Sequence, residues 1–314
     1  MHSLLFPGQG SQVVGMGLEF YNNFDVVKKI FQEADDRLNY SLSKIILEGP
    51  EDKLQLTQNT QPAILTVSYS IFKTLIDEFN FNITDCKFFA GHSLGEYSAL
   101  VCSNSLKFSD AVYLLNERGK AMQESVPLGK GSMIAVLGLG LKELEDELIV
   151  FKKKVKGICE IANDNATGQI IVSGEKGAVN LFQKSLKEKK IKSIPLKVSA
   201  PFHCSLMKPA AEVMRDKISK IKFEDPIIPL IYNVTSQLIN ETDKIENLLV
   251  DQIFSTVKWR ESMLNMSKSG ILNYIEIGPG KVLTGMIKRT IKNANCFSIN
   301  SIADIENLKN ELKK

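Results

Sequence analysis

The sequence predicts an α/β fold in which a larger unit, built on a mainly parallel sheet, carries an inserted βαββαβ unit. Three observations predict it. Strand-like and helix-like segments alternate along the whole chain. Two apolar strand candidates, 88–90 and 274–277, each run into a glycine turn and then a helical pattern, as strands of a parallel sheet do. Between 131 and 198 the element order is βαββαβ, the split-βαβ or ferredoxin-like unit.

In chain order, residues 3–6 form a short apolar first strand that runs into Pro7-Gly8-Gln9-Gly10. Apolar residues at helical spacing predict a helix over 61–79, with Pro62 near its start, where proline is tolerated. After the strand 88–90 come helices over 96–102 and 110–123, the second with Ser109 as N-cap. The inserted unit reads as strand 133–139, polar amphipathic helix 142–153, strands 159–163 and 169–173, helix 178–189 and strand 193–198. Glycine or proline marks both of its ends, so residues 129–198 are assigned to a small domain and 1–128 with 199–314 to a large one. The later chain returns to the first pattern, with strands at 230–232 and 274–277 and a helix over 281–292. Between the last two, Gly278-Pro279-Gly280-Lys281 lacks the glycine and lysine spacing of a phosphate loop and reads as a tight turn at a strand end.

Composition excludes several classes of function. Lys+Arg total 39 and Asp+Glu 36, a net charge of +3, too even for a dedicated nucleic-acid binder. The five cysteines have no metal-ligand spacing and are odd in number, which favours a reducing cytosol over a disulfide framework. No apolar run approaches the roughly 20 residues that span a bilayer, and the N-terminus does not read as a signal peptide.

The chemistry concentrates at Gly91-His92-Ser93-Leu94-Gly95, a G-x-S-x-G match lying between a predicted strand and a predicted helix. There the glycines permit a sharp turn that lifts the Ser93 hydroxyl out of the fold, and the Leu94 N–H at the helix start is placed to stabilise an oxyanion. A serine nucleophile needs a base. Of only three histidines, His2 is at the chain end and His92 adjoins the serine with its side chain directed away, which leaves His203. The loop around Gln9 could bring donors to a substrate, or be only a loop. Arg118 is one of five arginines among the 39 basic residues; residue types alone leave it open between a solvated helix face and a planar, bidentate anion site.

Taken together, these runs resemble the malonyl-CoA:acyl carrier protein transacylase family, the acyltransferase of dissociated fatty-acid synthesis. The matching runs are Phe6 to Gln12, Thr60 to Pro62, Ala90 to Leu100, Arg118 to Lys120, His203 with Leu206 to Ala211, Asn233-Val234, Gln252, Trp259 and Gly278 to Gly285. They follow family order across nearly the whole chain. The resemblance implies a hydrolase-like large domain with a parallel-sheet core and the ferredoxin-like small domain. It implies Ser93 as the acylated nucleophile and His203 as its base. Gln9 and the Leu94 N–H would form the oxyanion hole, and Arg118 would bind the malonyl carboxylate. The position of Gln252 is that of the residue whose main-chain carbonyl orients the histidine. Phe202 is expected to favour malonyl over methylmalonyl groups, the alternative being a core phenylalanine without that role.

The implied reaction uses malonyl-CoA and acyl carrier protein in a ping-pong transfer, with no cofactor or metal, in a cytoplasmic monomer without nucleic-acid or membrane partners. An acidic carrier calls for local positive charge. Lys281, Lys288, Arg289 and Lys292 are the preferred docking run, ahead of Lys184, Lys187, Lys189, Lys190 and Lys192, each of which could instead be a solvated face. The rivals are a trans-acting acyltransferase for a polyketide carrier, which would use the same residues; a serine esterase, disfavoured by Arg118 and the long match around Ser93; and a non-catalytic carrier-binding scaffold, disfavoured by the intact Ser93 and His203.

Overall fold

In the computed structural model, residues 1–312 are described except Ser199 and Asn240. The strands are β1 (His2–Phe6), β2 (Cys86–Gly91), β3 (Gly131–Leu137), β4 (Cys159–Ala166), β5 (Gln169–Glu175), β6 (Lys192–Pro195), β7 (Leu230–Ile231), β8 (Leu238–Ile239), β9 (Asn273–Ile277) and β10 (Asn295–Ile299). They form two sheets, ordered β10-β9-β1-β2-β7-β8 and β4-β5-β3-β6. In the six-stranded sheet β10, β9, β1, β2 and β7 are mutually parallel, and only β8 pairs antiparallel, at the edge. The four-stranded sheet is antiparallel throughout. Within it β5 separates β3 from β4, and β3 separates β5 from β6, so each crossover helix spans an intervening strand, as the βαββαβ order requires.

A parallel sheet is stable only when both faces are covered, and the strand sequences supply two apolar faces. Leu4, Phe6 and Phe89 point into the main core, while Leu5, Phe88 and Ala90 point into a second core around Trp259, Tyr274 and Met286. The smaller sheet does the same. Ile134, Val136, Ile170 and Val172 lie under the helices Leu141–Lys152 and Lys176–Glu188, while Met133, Ala135 and Ile171 join the main core. The expected domain limits at 128/129 and 198/199 bracket this sheet, whose strands occupy positions between Gly131 and Pro195; Ser199 lies outside the described residues.

Three local expectations need correction. The helix expected over 61–79 runs Thr57–Asp77, so Pro62 lies in its second turn. Its first turn is polar and shows no apolar period, but side chains fasten it: Asn59 Nδ2 donates to Lys53 O at 2.8 Å and Thr60 Oγ1 to Leu54 O at 2.6 Å. Proline at 62 has no N–H for the carbonyl of Gln58 four residues back, and a buried carbonyl left bare costs about 1–3 kcal/mol. Asn116 Nδ2 satisfies it at 2.9 Å. The next long helix runs Phe108–Glu124, so Ser109 is inside the first turn and Lys107 is the N-cap. Phe108, stacked on Tyr69 with centroids 4.9 Å apart, anchors that start. Finally β6 ends at Pro195 rather than reaching 198: Leu196 N still donates to Met133 O of β3 at 2.9 Å, but Val198 N turns back to Leu196 O at 3.1 Å instead of continuing the ladder.

Candidate active site

Ser93 sits at the carboxyl end of β2, before the helix Gly95–Cys102. Its φ is +53°, a left-handed conformation that a non-glycine residue holds only when its surroundings enforce it. Two glycines make room for the turn: a Cβ on Gly91 would collide with the backbone of Gly95, and one on Gly95 with the Phe6 carbonyl of β1. Asn233 then braces the turn from both sides. Its Oδ1 accepts the Ser93 N–H at 2.7 Å, and its Nδ2 donates to Gly91 O at 2.7 Å. The Asn233 N–H is held in turn by Glu96 Oε2 at 2.7 Å. Burial raises the Glu96 carboxyl to about 8, against the opposing pull of that N–H and of Arg118.

Three side chains from separate elements, those of His203, Gln252 and Arg118, meet at the serine. His203 Nε2 lies 2.8 Å from Ser93 Oγ, and His203 Nδ1 lies 2.8 Å from the Gln252 carbonyl. A carbonyl can only accept, so Nδ1 carries the proton and Nε2 presents its lone pair to the serine hydroxyl. Gln252 also returns to the serine, its Nε2 donating to Ser93 O at 3.0 Å. Arg118 Nη2 donates to Ser93 Oγ at 3.2 Å and to Gln252 Oε1 at 2.8 Å, and Nη1 donates to Gln61 Oε1 at 2.6 Å. The guanidinium is 1% exposed, and its nearest partners are amide oxygens and a hydroxyl rather than an ion-paired carboxylate. A buried cation without a counter-ion is costly, so this site favours an incoming anion beside the serine.

Burial, and then the positive charge of Arg118, push the His203 imidazole down to about 3. A histidine acting as base works only when unprotonated, so its contribution is lost as pH falls through its own pKa. The expected profile for a reaction that uses this imidazole as base is therefore free of a histidine inflection between pH 5 and 8, with the acid limb lying below. A rate that halves near the ordinary histidine value of 6.5 would show that the imidazole is not held in this environment.

The β4 strand reaches this cluster from the smaller sheet. Glu160 accepts the Ser205 N–H at 2.8 Å and its hydroxyl at 3.0 Å, fastening the loop that carries His203. Val257, five residues beyond Gln252, bonds into the same strand, Val257 N to Ala162 O and Asp164 N to Val257 O. Asn165 Oδ1 lies 2.8 Å from His92 Nε2, and the His92 ring packs edge-on to Trp259 at 5.5 Å. His92 thus faces away from the serine hydroxyl, as its place beside Ser93 in the chain dictates.

The other predicted residues fall as follows. Leu94 is buried at the start of the helix Gly95–Cys102, where the first N–H groups have no partner within the helix. Gln9, in the loop after β1, accepts from Thr57 Oγ1 at 2.8 Å. Phe202 is 8% exposed and belongs to the main core. Lys281, Lys288 and Arg289 are all exposed, and Arg289 Nη1 donates to Gln169 Oε1 of the smaller sheet at 3.0 Å. The Gly-Pro-Gly turn before them leads into the helix Val282–Thr290, whose first N–H groups, at Leu283 and Thr284, are already taken by the buried Glu276 carboxyl at 3.0 and 2.8 Å. Sequence reading had assigned no role to Asn233, Glu96, Glu160, Thr57 or Gln61. Only Asn233 and the runs holding Glu96 and Gln61 stood out there at all, through resemblance.

Comparison with known proteins accords with this geometry. The model of the acyl transferase domain family matches residues 4–312. A malonyl CoA-acyl carrier protein transacylase of Bacillus subtilis is 40% identical over 308 residues, covering 97% of this chain and 95% of the relative. The chain belongs to the malonyl CoA-acyl carrier protein transacylase family. Solved transacylase structures superimpose closely. An acyl-carrier-protein S-malonyltransferase from Bartonella henselae has a TM-score of 0.95 at 40% identity, covering 100% of this chain and 99% of that one. A malonyl-transacylase in complex with its holo type II PKS acyl-carrier protein has a TM-score of 0.93 at 37% identity, covering 98% and 99%. As in the sequence reading, the transacylase fold here is the α/β large unit with the ferredoxin-like insert. Among the described residues, no helix of this family member is long and apolar enough to cross a membrane.

Proposed function

We propose that this protein transfers a malonyl group from malonyl-CoA to the phosphopantetheine thiol of an acyl carrier protein, through a malonyl ester on Ser93, and so supplies fatty-acid synthesis. The observation that carries this reading is Arg118, a buried guanidinium without a paired carboxylate, 3.2 Å from the Ser93 hydroxyl. That distance suits an acyl group bearing a free carboxylate one carbon beyond its thioester. Charge-assisted, bidentate pairing would both select and orient such a group.

In the first half-reaction Ser93 Oγ attacks the thioester carbonyl and its proton passes to His203 Nε2. The negative charge on the carbonyl oxygen is held by the Leu94 N–H and the Gln9 region. Collapse expels CoA as a thiol, which takes the proton from His203, and leaves the malonyl-serine ester. In the second half-reaction the carrier thiol gives its proton to His203 and attacks the ester, and Ser93 recovers its proton as the malonyl thioester forms. The residues proposed for these steps perform them without a metal or redox cofactor. Five unpaired cysteines suit a reducing cytosol as the compartment.

Intact-protein mass tests the reading. A malonyl adduct should form with malonyl-CoA and should move to acyl carrier protein when that is added. An adduct released only to water would identify an esterase instead. The PKS acyl-carrier protein bound by one close structural relative favours a second reading, in which the acceptor here is a polyketide carrier; parallel transfer to both carriers distinguishes the two.

The docking surface proposed for the carrier is the exposed run Lys281, Lys288 and Arg289 along the Val282–Thr290 helix. Docking through surface charge acts mainly on encounter and weakens with salt. Charge reversal at Lys288 and Arg289 should slow transfer to the carrier while leaving acylation by malonyl-CoA nearly unchanged. Equal slowing of both half-reactions would remove the docking role.

A further inference from the structure

We propose that Glu96 is a specificity-determining residue: kept neutral, its carboxyl leaves the charge of Arg118 uncompensated for the acyl carboxylate, and its ionisation closes the site to that group. The inference rests on the reading of Arg118 as the carboxylate partner. It stands on a cluster of buried groups behind the serine turn. Glu96 lies on the Gly95–Cys102 helix and is 0% exposed. Its Oε2 accepts the Asn233 N–H at 2.7 Å, while its Oε1 is buried without a hydrogen-bond partner. Arg118, on the Phe108–Glu124 helix, donates from Nη1 to Gln61 and from Nη2 to Gln252 and Ser93, and its Nε–H is likewise buried without a partner. Glu96 and Arg118 feel each other's charge, but no hydrogen bond joins them.

The donor count decides which form of Glu96 the site holds. A buried carboxylate stays ionised when two or three donors satisfy it. With one main-chain N–H and no contact with solvent, the charged form is strongly disfavoured. Burial accordingly raises this carboxyl to about 8, against the pull of the Asn233 N–H, of Arg118 and of the Gln252 amide. The other titratable groups that face it come from three elements. Arg118 is a guanidinium and keeps its charge. Tyr97, on the same helix as Glu96, is pushed up to about 12 by burial, and Tyr232, just after β7, is pushed up as well. Of these groups only Glu96 changes charge between pH 7 and 9. Neutral Glu96 leaves a lone positive charge beside the serine, and an acyl carboxylate that binds there restores neutrality. Ionised Glu96 restores it without substrate, and a second carboxylate in the same dry surroundings is then repelled. The sign follows: malonyl binding is complete below the pKa of Glu96 and is lost as pH rises through it. At alkaline pH each malonyl group that enters brings one solvent proton to Glu96. An acetyl group carries no charge and does not respond.

Titration calorimetry tests the inference, with malonyl-CoA and acetyl-CoA binding at pH 7 and pH 9 to the Ser93→Ala protein, which lacks the hydroxyl proposed to be acylated. Neutral Glu96 falls from about nine-tenths to about one-tenth of the molecules over that range, so the malonyl-CoA Kd should rise about 10-fold. The acetyl-CoA Kd should change by less than about 2-fold. Repeating the pH 9 titration in buffers of different ionisation enthalpy should show about one proton taken up per malonyl-CoA and none per acetyl-CoA. With Glu96→Gln added to Ser93→Ala, both the rise with pH and the proton uptake should vanish. A malonyl-CoA Kd that does not rise between pH 7 and 9 overturns the inference, and that result needs no substitution at Glu96. An equal rise in the Glu96→Gln background overturns it too. Malonyl-CoA binding no tighter than acetyl-CoA at pH 7 would instead overturn the reading of Arg118, and the role of Glu96 with it.

Discussion

Ser93→Ala is expected to leave a folded protein that forms no malonyl adduct and has lost acyl transfer by about 10⁶-fold, the scale on which serine nucleophiles are lost elsewhere. The change keeps a Cβ at φ +53°, so it adds no backbone strain. The Asn233 brace bonds to main-chain groups of the turn, Ser93 N and Gly91 O, and persists without the hydroxyl. His203 keeps its bond to the Gln252 carbonyl, and Arg118 keeps both amide oxygens. The measurement is intact mass after incubation with malonyl-CoA, beside a thermal melt. A Ser93→Ala protein that still accumulates the ester would mean that another nucleophile carries the acyl group.

Arg118→Ala carries the second largest expectation. It removes a buried cation beside the serine, and charge-assisted bonds of this kind are worth roughly 1.5–3 kcal/mol, or about 10–150-fold in rate. Malonyl transfer should fall by that factor. Acetyl transfer involves no carboxylate, so it should hold or improve. The variant also removes a charge that depresses His203, so the acid limb of its pH profile should move upward. Equal losses for malonyl and acetyl groups would remove Arg118 from the role of carboxylate partner.

The residues proposed to do chemistry were the more legible part of this sequence, and their supports the less legible. Ser93 announced itself because a nucleophile at a strand-to-helix turn needs glycines at fixed offsets, and those glycines are visible in any single sequence. His203 followed because only three histidines exist and two are badly placed. Gln252 was invisible to residue chemistry, since its contribution to His203 is a main-chain carbonyl that every residue possesses; it came through resemblance alone. Glu160 lies 43 to 45 positions from the loop it fastens, in a different sheet, and no local pattern marks such a pairing. The same holds for element boundaries. The Thr57–Asp77 helix begins four residues before the first expected position because its opening turn is held by side-chain bonds, not by an apolar face. The two-residue β8 is too short to show an alternation, whereas the helices Asp25–Leu38 and Lys208–Ile218 bury Val27, Ile30, Phe31 and Ala34, and Ala210, Ala211, Met214 and Ile218, at helical spacing that the sequence does display.

The attachments of β4 have a mechanical meaning. That one strand is tied at Glu160 to the loop of His203, at Ala162 and Asp164 to the segment that follows Gln252, and at Asn165 to His92, the residue before Ser93. These ties act like the jaws of a clamp closed on a workpiece. Swinging the smaller sheet away from the larger one as a rigid lobe would break all of them together and pull His203, the Gln252 carbonyl and the serine turn out of alignment. The two sheets therefore do not form a hinge that can open freely around a guest.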